Sequence, residues 1–177
     1  DVKIQWHFKE GDLAIAKQCV ATVSGPCTAL LKGERVALNF IGYMSGIATL
    51  TRCFVKQIEH PQCKILDTRK TRPGHRELEK FSVKVGGAEN HRMHLSEAIL
   101  VKENHFRCFG GFSAAIEQIK EHTPLPIEVE VSNLDELKTY LNSQNFIIAY
   151  VLYISILIFR GMTFFPGTPF LLLGIYM

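Results

Sequence analysis

Residues 65–106, ILDTRKTRPGHRELEKFSVKVGGAENHRMHLSEAILVKENHF, decide the fold because short apolar runs alternate there with a helical pattern. Ile65-Leu66 and residues 98–101 predict strands, and the stretch from Pro73 to Gly86-Gly87 predicts a helix. Pro73 is expected in the first turn of that helix, and one apolar face is formed by Leu78, Phe81 and Val85. Repeated βα units of this length predict a parallel sheet or a barrel.

The flanking segments extend this alternation in both directions. Residues 4–25 predict strands and turns, and residues 28–58 predict a helix with a break near Ser45-Gly46. Downstream, the patterns predict a helix over 112–119, a strand over 127–131, a capping box from Ser132 and Asp135, and a strand beginning at 146–148.

Basic side chains follow the predicted strands at three successive junctions with loops. In α/β proteins, ligands bind outside the carboxyl ends of the strands. Arginine meets a carboxylate or phosphate with a two-pronged donor, and lysine adds a point charge. A solvated basic face would explain one Arg-Lys pair, but three junctions favour a small polyanionic ligand. The residues concerned are Arg69, Lys70, Arg72 and Arg76, then His91 and Arg92, then Lys102.

The composition excludes several classes of protein. A net charge of +3 over 177 residues is too small to indicate nucleic acid binding. Five cysteines without a CxxC spacing favour reduced cytosolic thiols over disulfides or a zinc site. The first residues have no signal-peptide pattern, and the chain begins without Met, as a fragment would.

The same motifs closely resemble the quinolinate phosphoribosyltransferase family, also called nicotinate-nucleotide pyrophosphorylase (carboxylating). The resemblance runs from about residue 8 to about residue 148 and is too ordered to arise by chance. It is carried by Gly33-Glu34-Arg35, residues 37–40 and 45–49, Asp67 to Thr71, Pro73-Gly74, Gly86-Gly87, Asn90-His91-Arg92, and Lys102-Glu103-Asn104-His105.

The resemblance implies a particular α/β architecture. We expect a partial α/β barrel of the quinolinate phosphoribosyltransferase type, preceded by the remnant of an open-sheet α+β N-terminal domain. The expected limits are 1–48 for the remnant, 49–148 for the incomplete barrel, and 149–177 for an apolar tail that does not resemble the family.

The resemblance also implies an activity in de novo NAD biosynthesis. Members of the family are cytoplasmic transferases that join quinolinate to phosphoribosyl pyrophosphate with Mg²⁺, giving nicotinate mononucleotide, pyrophosphate and CO₂. By motif match, Lys70, Lys102 and Glu130 are the expected catalytic residues. The expected substrate-binding residues are Arg35, Thr68, Arg69, Lys70, His91, Arg92, Lys102 and Glu130, with Arg35 reaching the neighbouring site of a homodimer.

Other acidic and histidine residues near these motifs receive a different interpretation. Glu128 and Glu130 project to one face of the predicted strand, and Glu128 is expected to be structural. His91, His94 and His105 have no spacing typical of zinc, so no protein metal ligand is predicted. Ala88 stands in place of a family glycine and would be crowded if its φ had to be positive.

The tail departs most from the family. Arg160 is the only charged residue after Lys138, and residues 136–177 contain no aspartate, where the family has one. A frameshifted or truncated gene would explain this change of composition. A membrane segment is disfavoured because residues 146–159 are shorter than the ~20 residues that span a bilayer. The alternative function is therefore an inactive remnant that binds carboxylates or phosphates, and we expect the chain as written not to turn over quinolinate.

Overall fold

The structure is a computed structural model that describes residues 1–58, 63–131, 133, 135, 138 and 172–175. For Cys63 and residues 172–175 it describes the backbone alone. The predicted capping residue Ser132, the predicted strand at 146–148 and most of the tail lie outside these residues. The predicted domain limits stay predictions.

The chain begins with a hairpin and a long helix. Strands β1 (Lys3–Trp6) and β2 (Ala21–Ser24) pair antiparallel, with Lys3 opposite Ser24, as the pattern of strands and turns predicted. Helix α1 (Cys27–Gln57) is continuous, so the predicted break at Ser45-Gly46 is wrong. A glycine inside a helix costs only about 1 kcal/mol, and the end of α1 packs on the next helix, which offsets that cost.

The following segments have the βα order of a barrel. They are β3 (Cys63–Leu66), α2 (Arg76–Val85), β4 (Ile99–Val101), α3 (Glu103–Cys108), α4 (Phe112–His122) and β5 (Ile127–Val129). Strands β4 and β5 are parallel, and Leu66 at the end of β3 forms a parallel bridge with Glu89. The short helix α3 was not predicted. A last strand, β6 (Leu172–Ile175), pairs antiparallel with β3.

Helix α2 is oriented differently from its apolar pattern. Leu78 and Phe81 of its apolar face are exposed, whereas Glu79 and Lys80 are buried. The physical reason is that α2 covers a polar loop edge, where its buried charges find partners. Pro73 also lies before the helix, whose N-cap is His75.

Two apolar clusters hold the described part together. One lies between β3, the end of α1 and α2, and the other between β4, α4 and β5. Ala88 belongs to the first cluster. The positive φ (96°) is that of Gly87 and not of Ala88, so the side chain of Ala88 is not crowded by its backbone conformation. The buried members are Ile47, Ile65, Val83 and Ala88 in the first cluster, and Val101, Ile116, Ile127, Val129 and Val131 in the second.

Over the same described ranges, no helix is both long and apolar enough to cross a membrane.

Candidate active site

The candidate site lies where strand ends converge. Asp67, Thr68 and Arg69 follow β3 directly, and His91 and Arg92 follow the bridge residue Glu89. Lys102 follows β4, while Glu128 lies in β5 and Glu130 follows it. The bridge joins the loop after β3 to His91 and Arg92, the parallel pairing joins Lys102 to Glu128 and Glu130, and the contact of His91 with Glu128 joins the two sets.

A buried ion pair between Lys80 and Asp67 forms the floor of the site. The side chains are 1% and 2% exposed. The Lys80 ammonium also donates to the carbonyl of His91 at 2.8 Å, and the His91 N–H donates to Asp67 Oδ1 at 2.8 Å. Burial raises the pKa of the Asp67 carboxyl, and the bonds from Lys80 and His91 oppose that rise. The pair thus fixes the backbone of His91 against the end of β3.

Asn90 completes this floor. With its amide in the orientation that satisfies both atoms, its nitrogen donates to Asp67 Oδ2 at 3.0 Å and to the Lys80 carbonyl at 2.9 Å. Sequence reasoning missed the role of Lys80. The sequence offered one indication of this role. Lys80 lies three residues before Val83, so the two side chains lie on the same helix face, which turns towards β3.

Two guanidinium groups lie near each other at the edge of the floor. Arg92 donates from Nη1 to the carbonyl of Ala98. Burial lowers the pKa of the Arg92 guanidinium, the charge of Arg69 lowers it further, and Glu128 opposes the shift. The Nε atoms of both arginines are buried and have no hydrogen-bond partner among the described residues. Buried donors without partners beside a second cation are the arrangement that an anion would complete.

Two acid–base pairs are formed by Glu128 and Glu130. His91 Nε2 contacts the carboxylate of Glu128, and both side chains are mostly buried. The Lys102 ammonium lies 2.7 Å from Glu130 Oε2. Glu128, expected to be structural only, therefore belongs to the cluster. It helps to line an open cleft of about 360 Å³ together with Lys80, Asn90, His91, Arg92, Met93, Glu97, Ala98 and Pro126.

The remaining predicted residues divide into those that build the loop and those outside the cluster. The hydroxyl of Thr68 accepts a hydrogen bond from the Lys70 N–H at 3.1 Å. Arg76 donates to the Thr71 hydroxyl at 3.2 Å and to the Arg69 carbonyl at 3.4 Å, so it supports the loop instead of facing the cleft.

Arg35 lies outside the cluster. It is exposed on α1, and no hydrogen bond or ion pair among the described residues involves it.

Metal binding by the protein alone is not supported in the described ranges. They contain no group of three His, Cys, Asp or Glu side chains able to hold a metal ion. Magnesium prefers a few carboxylates together with substrate oxygens, and the carboxylate of Glu130 contacts Lys102. These residues do not fit a magnesium site built from protein groups.

Comparison with known proteins agrees with this geometry. Residues 1–45 match the N-terminal domain of quinolinate phosphoribosyl transferase, and residues 47–150 match its C-terminal domain. A probable nicotinate-nucleotide pyrophosphorylase (carboxylating) from Synechocystis is 45% identical over 137 residues, which are 76% of this chain and 46% of that protein.

Solved structures agree as well. Nicotinate-nucleotide pyrophosphorylase from Ehrlichia chaffeensis superimposes with a TM-score of 0.76 at 36% identity, over 83% of this chain and 54% of that one. NadC from Streptococcus pyogenes gives 0.74 at 40% identity, over 78% and 51%. The chain thus spans about half the length of these relatives, and the partial α/β barrel predicted from the sequence is confirmed. The matches to both domain models place the chain in the quinolinate phosphoribosyl transferase family.

Proposed function

We propose that the protein acts as a nicotinate-nucleotide pyrophosphorylase (carboxylating) of NAD biosynthesis and that its described residues form the quinolinate half of the site. The observation that carries this proposal is the adjacent pair Arg69 and Arg92, each with a buried Nε that has no hydrogen-bond partner in the described part of the chain. The reaction is taken from the names of the relatives, and the two guanidinium groups provide the positive charge that a dicarboxylate substrate requires.

Quinolinate suits this pair because it carries two adjacent carboxylates. A dicarboxylate offers acceptors to both guanidinium groups at once and relieves their mutual repulsion. Lys70 adds positive charge beside Arg69. The backbone of His91, fixed by Asp67 and Lys80, keeps its imidazole at the cleft. Binding geometry is therefore set before the ligand arrives, which reduces its entropic cost.

The second substrate, phosphoribosyl pyrophosphate, would meet the Lys102–Glu130 pair. In the reaction, the ring nitrogen of quinolinate attacks the anomeric carbon and pyrophosphate leaves. CO₂ is then lost from the pyridine carbon next to that nitrogen, and a proton from water takes its place on that carbon. Lys102 would stabilise the leaving phosphates, and Glu130 would stabilise positive charge that develops on the ribose. Mg²⁺ would be brought by the pyrophosphate, since the described residues do not form a site for it.

The active form is proposed to be a homodimer. Arg35 lies on the exposed N-terminal half of α1, with Leu31, Val36 and Phe40 also exposed there. Apolar side chains in such numbers on one helix are typical of a protein interface. From that position Arg35 would reach the site of the second subunit.

A second candidate is a protein that binds carboxylates or phosphates without turnover. It is favoured by the absence of aspartate from residues 136–177, since the reaction calls for a second carboxylate near the ribose. The expected lack of turnover stays a prediction, and so does the cytoplasmic location. The thiols of Cys19, Cys27, Cys53 and Cys108 are free.

Calorimetric titration with quinolinate tests the proposal. We expect the Arg69→Ala and Arg92→Ala variants to lose binding, because each removes one of the two guanidinium groups. Arg107→Ala is the matched control, since Arg107 is an exposed arginine on α3 that pairs with Glu103. Equal affinity of the three variants would mean that the dicarboxylate site lies elsewhere.

A further inference from the structure

Arg72, in the loop after β3, is held against an aromatic ring. Its Nε donates to the hydroxyl of Tyr43 at 3.0 Å and to Glu79 Oε1 at 3.3 Å. Its Cζ lies 3.5 Å from the centre of the Tyr43 ring. A guanidinium stacked on an aromatic face and bonded to a carboxylate has little freedom.

Glu79 is the hub of this contact. Its side chain is 1% exposed, so its carboxylate depends on its partners. It accepts a hydrogen bond from the Tyr43 hydroxyl at 2.7 Å and from the backbone N–H of Arg72 at 3.3 and 3.4 Å. Tyr43 belongs to α1 and Glu79 to α2, so this cluster joins both helices to the loop.

The loop is thereby fixed on both sides of its anion-binding residues. At one end, Asp67 is held by Lys80, and at the other, Arg72 is held by Glu79. Between these two anchors lie Arg69 and Lys70. A loop fixed at both ends holds its cations in place before the ligand binds, which lowers the entropic cost of binding.

We infer that Arg72 is a positioning residue which, through Glu79 and Tyr43, fixes the loop that presents Arg69 and Lys70 to the dicarboxylate. The part of this inference that concerns the ligand rests on the proposed function, whereas the anchoring of the loop does not. Arg72 lies three residues after Arg69, yet its guanidinium is turned to Tyr43 and Glu79. It therefore acts through the loop and does not touch the ligand.

Two measurements on the full chain test the inference. Hydrogen exchange without ligand reports the mobility of residues 68–72, and titration calorimetry reports the affinity for quinolinate. In Arg72→Ala we expect amide exchange in this segment to become about tenfold faster while exchange in β4 and β5 is unchanged. Quinolinate affinity should fall by about tenfold, and Arg72→Lys should recover part of both effects. Arg107→Ala serves as the control and should change neither.

The outcomes separate this inference from the proposed function. If exchange in Arg72→Ala equals that of the wild type, the inference is overturned, and a fall in affinity would then make Arg72 a ligand-binding residue. If the wild type binds no quinolinate, the proposed function fails. In that case, faster exchange in Arg72→Ala would still support the inference that Arg72 fixes the loop, and unchanged exchange would overturn that inference.

The phenol of Tyr43 gives an independent readout. Burial raises the pKa of Tyr43, the hydrogen bond to Glu79 raises it further, and Arg72 opposes the rise. We therefore expect the pKa of Tyr43 to fall in Glu79→Gln and to rise in Arg72→Ala. Carbon NMR of labelled tyrosines, with the signal assigned by Tyr43→Phe, measures both. Shifts of the opposite signs would show that the three side chains do not form this cluster.

Discussion

The site and the N-terminal half of α1 follow opposite rules of burial. At the site, the charged side chains of Asp67, Glu79 and Lys80 are no more than 2% exposed. On α1, Leu31 and Val36 are 68% and 57% exposed. Charges are buried where they hold the loop after β3, and apolar groups are exposed where nothing in the described part of the chain covers them. Hydropathy alone therefore does not predict which side chains of this protein are buried.

The largest effect is expected from breaking the buried pair at the site. Lys80→Met leaves the carboxylate of Asp67 buried without its cation, which costs about 3–5 kcal/mol of unfolding free energy. Lys84→Met, on the exposed face of the same helix, should change it by less than about 0.5 kcal/mol. Urea unfolding of both variants measures the difference. Equal midpoints would contradict the view that the pair holds the site together.

The sequence predicted the order of most of the described strands and helices, and it placed the candidate anion-binding residues after strands, while their roles in binding stay predictions. Motifs such as Asn90-His91-Arg92 are local, so their positions after strands can be inferred without coordinates. The support for these residues could not be inferred in the same way. Lys80 reaches Asp67 across 13 positions, and Tyr43 reaches Glu79 across 36, and neither contact has a local pattern.

The orientation of α2 could not be inferred for a related reason. Leu78 and Phe81 indicated the buried side by hydropathy, but the charges of Glu79 and Lys80 are buried because their partners lie on the loop. The break in α1 failed because glycine only weakens a helix. Gly86, by contrast, ends α2 where the two helices come closest.

The second prediction concerns that close approach. A Cβ at Gly86 would lie 2.6 Å from the Ala48 carbonyl oxygen and 2.6 Å from the Thr51 Cβ. Gly86→Ala should therefore push α1 from α2 and destabilise the protein by about 1–3 kcal/mol. The matched control is Gly42→Ala on α1, where a Cβ meets nothing within 4 Å. It should stabilise the helix by about 0.5–1 kcal/mol.

Thermal or urea unfolding checks whether Gly86→Ala lowers and Gly42→Ala raises the free energy of unfolding. Stabilisation by Gly86→Ala would mean that the helices are not in close contact. A loss of stability in Gly42→Ala that grows with protein concentration would mean that a second copy covers this part of α1.

The smallest effect is expected from the exposed surface itself, and it appears only on association. The double variant Leu31→Ser/Val36→Ser removes two exposed apolar side chains from α1. If this face joins two copies, the dimer dissociation constant should rise about tenfold, which corresponds to about 1.4 kcal/mol. Sedimentation velocity over a range of concentrations measures it. Leu95→Ser is the control, since Leu95 is 60% exposed and lies in the segment before β4. The unfolding midpoint at low concentration should be nearly unchanged in both, because neither set of side chains is buried in one chain.

Equal dissociation constants for the two variants would remove the reason to place Arg35 in a neighbouring site. The exposed apolar face of α1 would then require a partner other than a second copy of this chain.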